Sequence, residues 1–245
     1  MTDTSLTEKN HYRRVLERRG PIVMSAAETE VGPASGPGLR ELKKQRTRDA
    51  LVRAALALFT SKGYEHTTVD EIAEAVDVSQ RTFFRYFAGK EDAAFAVHRI
   101  AEARFIQAVR ERPPHEAPLE ALRQAVLEGW PTIHEAVESV VPAELQMRMY
   151  HLIESTPMLL AAHMRRSAET EEAVARLIAE REGVDVDGDL RPRVVVALFS
   201  GLMRLTERRW GAGSDMSVAA MRDLTSTYLD AMGPALVGNW RTERP

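Results

Sequence analysis

From Leu39 onward, apolar residues recur at intervals of three and four, and no segment shows the strict alternation of a half-buried strand. The spacing predicts helices throughout, an all-α chain. Leu51, Ala54, Ala55, Leu58 and Phe59 share one face of a first helix that stops near Lys62-Gly63. Ile72, Ala73 and Val76 supply the apolar face of a short second helix, and a third begins after Ser79. A long helix is expected over residues 91–112, halted by Pro113-Pro114. Further helices are expected over 118–129, 132–140, 142–154, 157–182, 189–210 and 217–236, separated by proline, glycine or the polar GVDVDGD.

Residues 67–92, TTVDEIAEAVDVSQRTFFRYFAGKED, place a helix start, a tight turn, a second capped helix and a basic aromatic tip in order. Thr68 with Glu71 three positions later forms a capping box. Asp77 stands at the turn, where glycine fits more easily but Asp tolerates the left-handed conformation. Ser79 caps the next helix, so Gln80, Arg81 and Thr82 occupy the first turn, the part of a recognition helix that meets base edges. Arg pairs with guanine O6 and N7, Gln with adenine N6 and N7, and the Thr methyl with that of thymine. Phe83, Phe84, Tyr86 and Phe87 are more aromatic surface than so short a helix buries alone. A capping box by itself says only that a helix begins, and an aromatic run is commonly core; the ordered combination is what reads as helix-turn-helix.

The 245 residues, 44% hydrophobic, are enough for one small and one larger domain. A formal charge of −3 argues against a surface that coats nucleic acid everywhere, so positive charge must act locally. It gathers at Arg40, Lys43, Lys44, Arg46, Arg48 and Arg53, opposed by Glu41 and Asp49, and recurs at Arg81, Arg85 and Lys90, the candidate phosphate contacts. The absence of cysteine excludes disulfides and thiolate chemistry and is compatible with a reducing cytoplasm. The longest apolar stretch, 194–205, is far below the roughly 20 residues of a membrane span. The apolar PIVM after Arg13, Arg14, Arg18 and Arg19 is too brief for a signal peptide, so export is not expected.

Residues 1–38 end in VGPASGPG and read as a flexible N-terminal extension, an unstructured tail or a basic arm along DNA; Met24 is an alternative translation start. The division expected after it is a helix-turn-helix DNA-binding domain over 39–92, a helical ligand-binding and dimerisation domain over 93–238 and a tail over 239–245.

On TTVDEIAEAVDVS, the short recognition helix and RYFAGKED, residues 39–92 resemble the head of the TetR family of bacterial transcriptional regulators. QRTFFRYF, with Phe83-Phe84-Arg85 where many members have Leu-Tyr-His, resembles the branch with an acyl-CoA-like ligand-binding C-terminal domain, the mycofactocin-locus type. The resemblance implies that Thr68, Tyr86 and Lys90 contact phosphates, that Gln80, Arg81, Thr82, Phe84 and Arg85 face the groove, and that Arg46 adds backbone contacts. It also implies a homodimer on a palindromic operator, joined through the last two long helices. Val194, Ala197, Leu198, Gly201, Leu202 and Leu205 are the candidate interface, with monomer core as the other reading. Two heads would then lie roughly 34–36 Å apart, one turn of DNA.

For an effector pocket the candidates are Trp130, His134, Met147, Met149, Tyr150, His151, Met164, Met203, Arg204 and Trp210, with Arg204 placed to meet a phosphate or carboxylate. An acyl-CoA or fatty-acid-like effector is what the resemblance implies; no cofactor, metal, membrane or enzymatic activity is expected. Asp185 to Asp189 lacks the glycine and the glutamate of a calcium loop, and His134-Glu135 lacks the second His of HExxH. The resulting expectation is a ligand-released repressor. An activator or corepressor-dependent regulator stays open, as does a helical small-molecule-binding protein or enzyme with a vestigial head.

Overall fold

The computed structural model describes residues 38–213, 215 and 217–237. The expectations for residues 1–37, the alternative start at Met24 and the 239–245 tail lie outside them. Among the described residues every regular element is a helix: α1 (Leu39–Lys62), α2 (Val69–Glu74), α3 (Gln80–Phe84), α4 (Lys90–Ala94), α5 (Ala96–Arg110), α6 (Pro118–Glu138), α7 (Ala143–Ser155), α8 (Pro157–Glu182), α9 (Arg191–Gly211) and α10 (Val218–Val237).

The head, α1 to α4, forms around Leu51, Val52, Ala55, Leu56 and Phe59 of α1, which close over Ile72, Ala73, Phe83 and Phe87. This core continues into the body without interruption through Phe95, Ile133, Val137, Val141, Leu145, Met149 and Ile153. A second core joins Val109 of α5, Leu122 and Val126 of α6, Val174 and Ile178 of α8, Phe199 of α9 and Leu229 of α10. Phe105 and Trp130 touch both cores, and Phe105 stacks on Phe199 with ring centroids 5.6 Å apart.

Two expectations about helix boundaries are corrected. Residues 91–112 are not one helix: the chain bends at Phe95 (φ −97°, ψ 11°) between α4 and α5. The cause is tertiary. Phe95 is fully buried, its ring stacked on His163 at 6.2 Å, edge-on to His98 at 5.4 Å and covered by the Arg166 guanidinium at 5.6 Å. Arg99 donates to the Asp92 carbonyl at 2.7 Å and pairs with its carboxylate, which supports the interrupted turn. Conversely, 118–129 and 132–140 are one helix, α6, with Pro131 inside it. Proline removes one hydrogen bond and strains the preceding turn. The helix persists because Leu122, Ala125 and Val126 are anchored in one core, and Ile133 and Val137 in the other.

The turn between α2 and α3 has the geometry expected of it. Asp77 has φ 55°, the one positive φ at a non-glycine residue among those described, and the Val78 N–H donates to the Ala73 carbonyl at 3.0 Å. Left-handed backbone costs an ordinary residue roughly 1–2 kcal/mol and glycine almost nothing. Asp77→Gly is therefore expected to raise stability slightly, and Asp77→Val to lower it by about 1–2 kcal/mol. Urea unfolding of the two variants checks the order.

Candidate nucleic-acid interface

A helix as short as α3 does not sustain itself, since nucleation fixes several residues for few hydrogen bonds. It is held from outside. Ser79 Oγ accepts the Thr82 N–H at 3.2 Å, and Phe83 and Phe87, with centroids 5.4 Å apart, are buried beneath the helix. Phe83 also braces Phe84 edge-on at 5.6 Å. With Phe83 pointing in, Gln80, Arg81, Phe84 and Arg85 face out, and Phe84 stays 51% exposed. Neither the Gln80 amide nor the Arg81 guanidinium has a hydrogen bond or ion pair among the described residues. Arg81, Thr82, Phe84 and Arg85 line a shallow open notch.

Other candidates are already engaged. The Thr82 hydroxyl lies 3.0 Å from Ser79 Oγ, and Arg85 donates to the Tyr86 hydroxyl at 3.2 Å with its guanidinium 5.0 Å above that ring. Arg85 and Tyr86 thus act as one unit. Thr68 is exposed at the start of α2; its Oγ1 accepts the Glu71 N–H at 3.2 Å, and the Glu71 carboxylate accepts the Thr68 N–H at 2.9 Å, the complete capping box. Lys90 turns inward. Its ammonium donates to the carbonyls of Tyr64 at 2.9 Å and Thr67 at 2.7 Å and lies over the Tyr64 ring, leaving one N–H for a phosphate. Arg46 is exposed on α1. Two pairings were not legible in the sequence: Lys62 with Glu71, and Arg48, whose guanidinium lies 5.4 Å from the Phe87 centroid. Their partners are 9 and 39 positions away, with no motif to signal them.

The body scatters the pocket candidates. Trp130 lies between the two cores with its Nε1 enclosed and unpartnered, Met149 is buried, Met203 packs against the second core and Met147 is half-buried. His134 faces Glu138 at 3.4 Å, His151 is exposed beside Tyr150, and Met164 is 47% exposed. Trp210 Nε1 donates to the Ser217 carbonyl at 3.3 Å and ties α9 to the start of α10. Arg204, expected to meet an anionic ligand, meets Glu171 at 2.5 Å instead. Tyr150 packs close against Gly211, where an added Cβ would stand 2.5 Å from the ring. On α9, Val194, Ala197, Leu198 and Leu205 are exposed on one face, while Leu202 turns toward the second core and Gly201 is half-buried. The aspartates near residue 187 are taken up by arginines: Asp187 pairs with Arg193 at 3.0 Å and Asp189 with Arg191 at 2.5 Å.

Burial and charge shift several groups. Burial, reinforced by His163, Arg166 and Arg99, pushes His98 down to about 3, so it is neutral in the fold. Burial lifts Glu207 to about 7 against the pull of Arg204, and lifts Tyr150 to about 12. In the head, the hydrogen bond from Lys62, then that from the Thr68 backbone, lowers Glu71 from 4.5 to about 2. A lowered carboxyl stabilises the fold above its unfolded pKa and loses that contribution as pH falls through the folded value. Glu71→Gln is thus expected to destabilise the head near neutrality, with the difference from wild type shrinking between about pH 4.5 and 2. Denaturant midpoints measured across that range check it.

Comparison with known proteins bears on both halves of the chain. Residues 51–97 match the family model described as bacterial regulatory proteins, tetR family, and residues 116–236 match the MftR C-terminal domain. The HTH-type transcriptional regulator TcmR of Streptomyces glaucescens is 43% identical over 222 residues, 89% of this chain and 98% of that protein. The mycofactocin biosynthesis transcriptional regulator MftR of Mycobacterium tuberculosis is 26% identical, covering 79% of this chain and 89% of its own length. A transcriptional regulator of Pseudomonas aeruginosa has a similar fold, with a TM-score of 0.51 at 15% identity, covering 80% of this chain and 94% of that one. No helix among the described residues is long and apolar enough to cross a membrane. With a helix-turn-helix head built on buried aromatics and a matching helical body, the chain belongs to the TetR family of DNA-binding transcriptional regulators and carries an MftR-type C-terminal domain.

Proposed function

We propose that this regulator is a cytoplasmic homodimeric repressor that binds a palindromic operator and is released by a small apolar or acyl-CoA-like effector. The observation that carries the reading is the outward face of α3, where Gln80, Arg81 and Phe84 are unspent and rigidly backed by Phe83. Arg81 is assigned to guanine and Gln80 to adenine, with Phe84 and the Thr82 methyl against thymine methyls. Thr68, the Arg85–Tyr86 unit, the remaining Lys90 N–H and Arg46 are assigned to the flanking groove and phosphates.

The dimer reading is supported by the apolar face of α9, where Val194 is 55%, Leu198 38% and Leu205 47% exposed. An apolar stripe of this kind is what a helix presents to a second helix, and the small Ala197 and Gly201 permit close approach. For the effector, the junction of the two cores at Phe105 and Trp130, with Met149 and Met203 nearby in those cores, favours an apolar group, Met side chains being adaptable. An anionic head would have to displace Glu171 from Arg204. Release follows if the effector prefers a state in which α4 and α5 carry the head out of register, and its differential affinity for the two states sets the limit.

The test is fluorescence anisotropy on DNA from the upstream region at stated salt, with and without long-chain acyl-CoA. Specific binding lost on adding acyl-CoA is the expected result; binding that persists removes that effector. Arg81→Ala is expected to cost about 1–3 kcal/mol of discrimination at one base position per half-site. Leu198→Asp is expected to leave the protomer folded by circular dichroism but to shift its mass in light scattering from dimer to monomer; an unchanged dimer would place the interface elsewhere.

A further inference from the structure

The groups packed on Phe95 at the bend between α4 and α5 carry more hydrogen-bonding capacity than they use. His98 of α5 stands edge-on to the Phe95 ring at 5.4 Å and to the His163 ring of α8 at 5.6 Å, and the Arg166 guanidinium lies 5.6 Å from the Phe95 centroid. His98 Nδ1 and Arg166 Nε are both enclosed and have no hydrogen-bond partner among the described residues. An enclosed polar atom left unpaired costs about 1–3 kcal/mol. Two such atoms meet here around one aromatic ring. A ligand oxygen accepts from the Arg166 Nε–H and, once the imidazole is protonated, from His98 Nδ1–H as well.

Arg166 is held loosely. Its ion pair with Glu102 runs through Nη2 alone at 3.3 Å, whereas Arg204 meets Glu171 at 2.5 Å. The cluster is reachable, because the side chains of Arg166 and Glu102 stay 21% and 28% exposed. It also adjoins apolar ground: His163 follows Ala162 and stands one turn beyond Leu159, both of them in the first core with Phe95 and Ile153. The other charges facing the two imidazoles are Arg99 and Glu102 of α5, Glu154 of α7 and Arg204 of α9. Asp92 neutralises Arg99, Glu171 neutralises Arg204 and Glu102 neutralises Arg166, while Glu154 has no ion pair among the described residues. A further anion is therefore accommodated only if an imidazole takes up a proton with it.

We propose that Arg166, with the imidazoles of His98 and His163, receives the carboxylate of an effector whose apolar tail enters the first core. The inference rests on the ligand-released reading above and specifies a free carboxylic acid as the head group. A carboxylate accepts two parallel N–H bonds from one guanidinium, here Nε and Nη2, and so competes with Glu102. In the free protein burial lowers both imidazoles, His98 to about 3. A carboxylate beside them favours the charged form and raises them. The bound state then holds one more proton than the free state, so affinity rises as pH falls through the bound-state value. Seating the head group also draws Arg166 from the Phe95 ring, a contact that covers the bend.

The test is calorimetry on the full chain with octanoate and with octanamide, its neutral isostere. Octanoate is expected to bind at least about fivefold more tightly than octanamide. Its binding takes up about one proton, read from buffers of different ionisation enthalpy, and tightens about three- to tenfold from about pH 8 to about pH 6. Arg166→Gln is expected to abolish the preference for octanoate and leave octanamide binding as in wild type. Glu102→Gln, which removes the competing acid, tightens octanoate at least about twofold. His98→Gln/His163→Gln removes the proton uptake and flattens the pH profile. The Glu102→Gln gain and the wild-type pH profile decide the matter even where Arg166→Gln fails to fold. Equal binding of the two ligands, binding without proton uptake, or a preference that survives Arg166→Gln overturns the site and leaves an apolar effector standing. Binding of neither ligand also overturns the site; release of operator DNA by long-chain acyl-CoA in the same preparation then keeps the effector reading, and failure of that release removes both.

Discussion

Burial of Phe83 and Phe87 beneath α1 is the constraint on which the reading surface depends. Five residues of α3 have too few backbone hydrogen bonds to persist alone, so their helical state is set by the two rings and the Ser79 cap. The same burial fixes rotation. With Phe83 inward, the helix period turns Gln80, Arg81 and Phe84 outward, and the edge-on contact from Phe83 stiffens the last of these. Arg81 is thus presented at low entropic cost from a rigid base, which a loop of the same composition does not provide.

The head is not an independent bead on a linker. Its core runs into the body through Phe95, where the bend between α4 and α5 is held by His98, His163 and Arg166. Arg53 of α1 donates to the Val140 carbonyl at 3.0 Å, and Arg165 of α8 reaches Glu91 of α4 at 2.7 Å. A displacement of α8 is therefore mechanically linked to the start of α4, and Lys90 at that point holds the carbonyls of Tyr64 and Thr67, just ahead of α2. These packed and hydrogen-bonded groups connect the body to the head without a gap. The neutral His98 in their midst has an enclosed Nδ1 without a partner among the described residues, an unfavourable feature tolerated at the bend.

What was legible in the sequence was local. The capping box at Thr68 and Glu71, the left-handed Asp77, the Ser79 cap and the helix over 157–182 all depend on residues within four positions of one another, and all appear in the structure. The departures lie where distant residues decide. Pro131 looked like a helix end because proline is locally disruptive, and two separate cores override it. The run from residue 91 looked continuous because nothing nearby breaks it, yet two of the three groups packed on the Phe95 ring, His163 and Arg166, come from about 70 positions away. The present partners of Arg204 and Lys90, Glu171 and the carbonyls of Tyr64 and Thr67, are likewise distant in sequence, and a free cation and a paired one are spelled alike.

The sequence by itself determined that the chain is helical, where the helix-turn-helix lies and which side chains of α3 are suited to base edges, because period, caps and turn residues act over one or two turns. Only the tertiary structure decided which cations are spent, where α4 bends into α5 and which residues join the two cores. Those outcomes follow from long-range burial and pairing, whose energies exceed local propensity and whose partners the order of residues does not name.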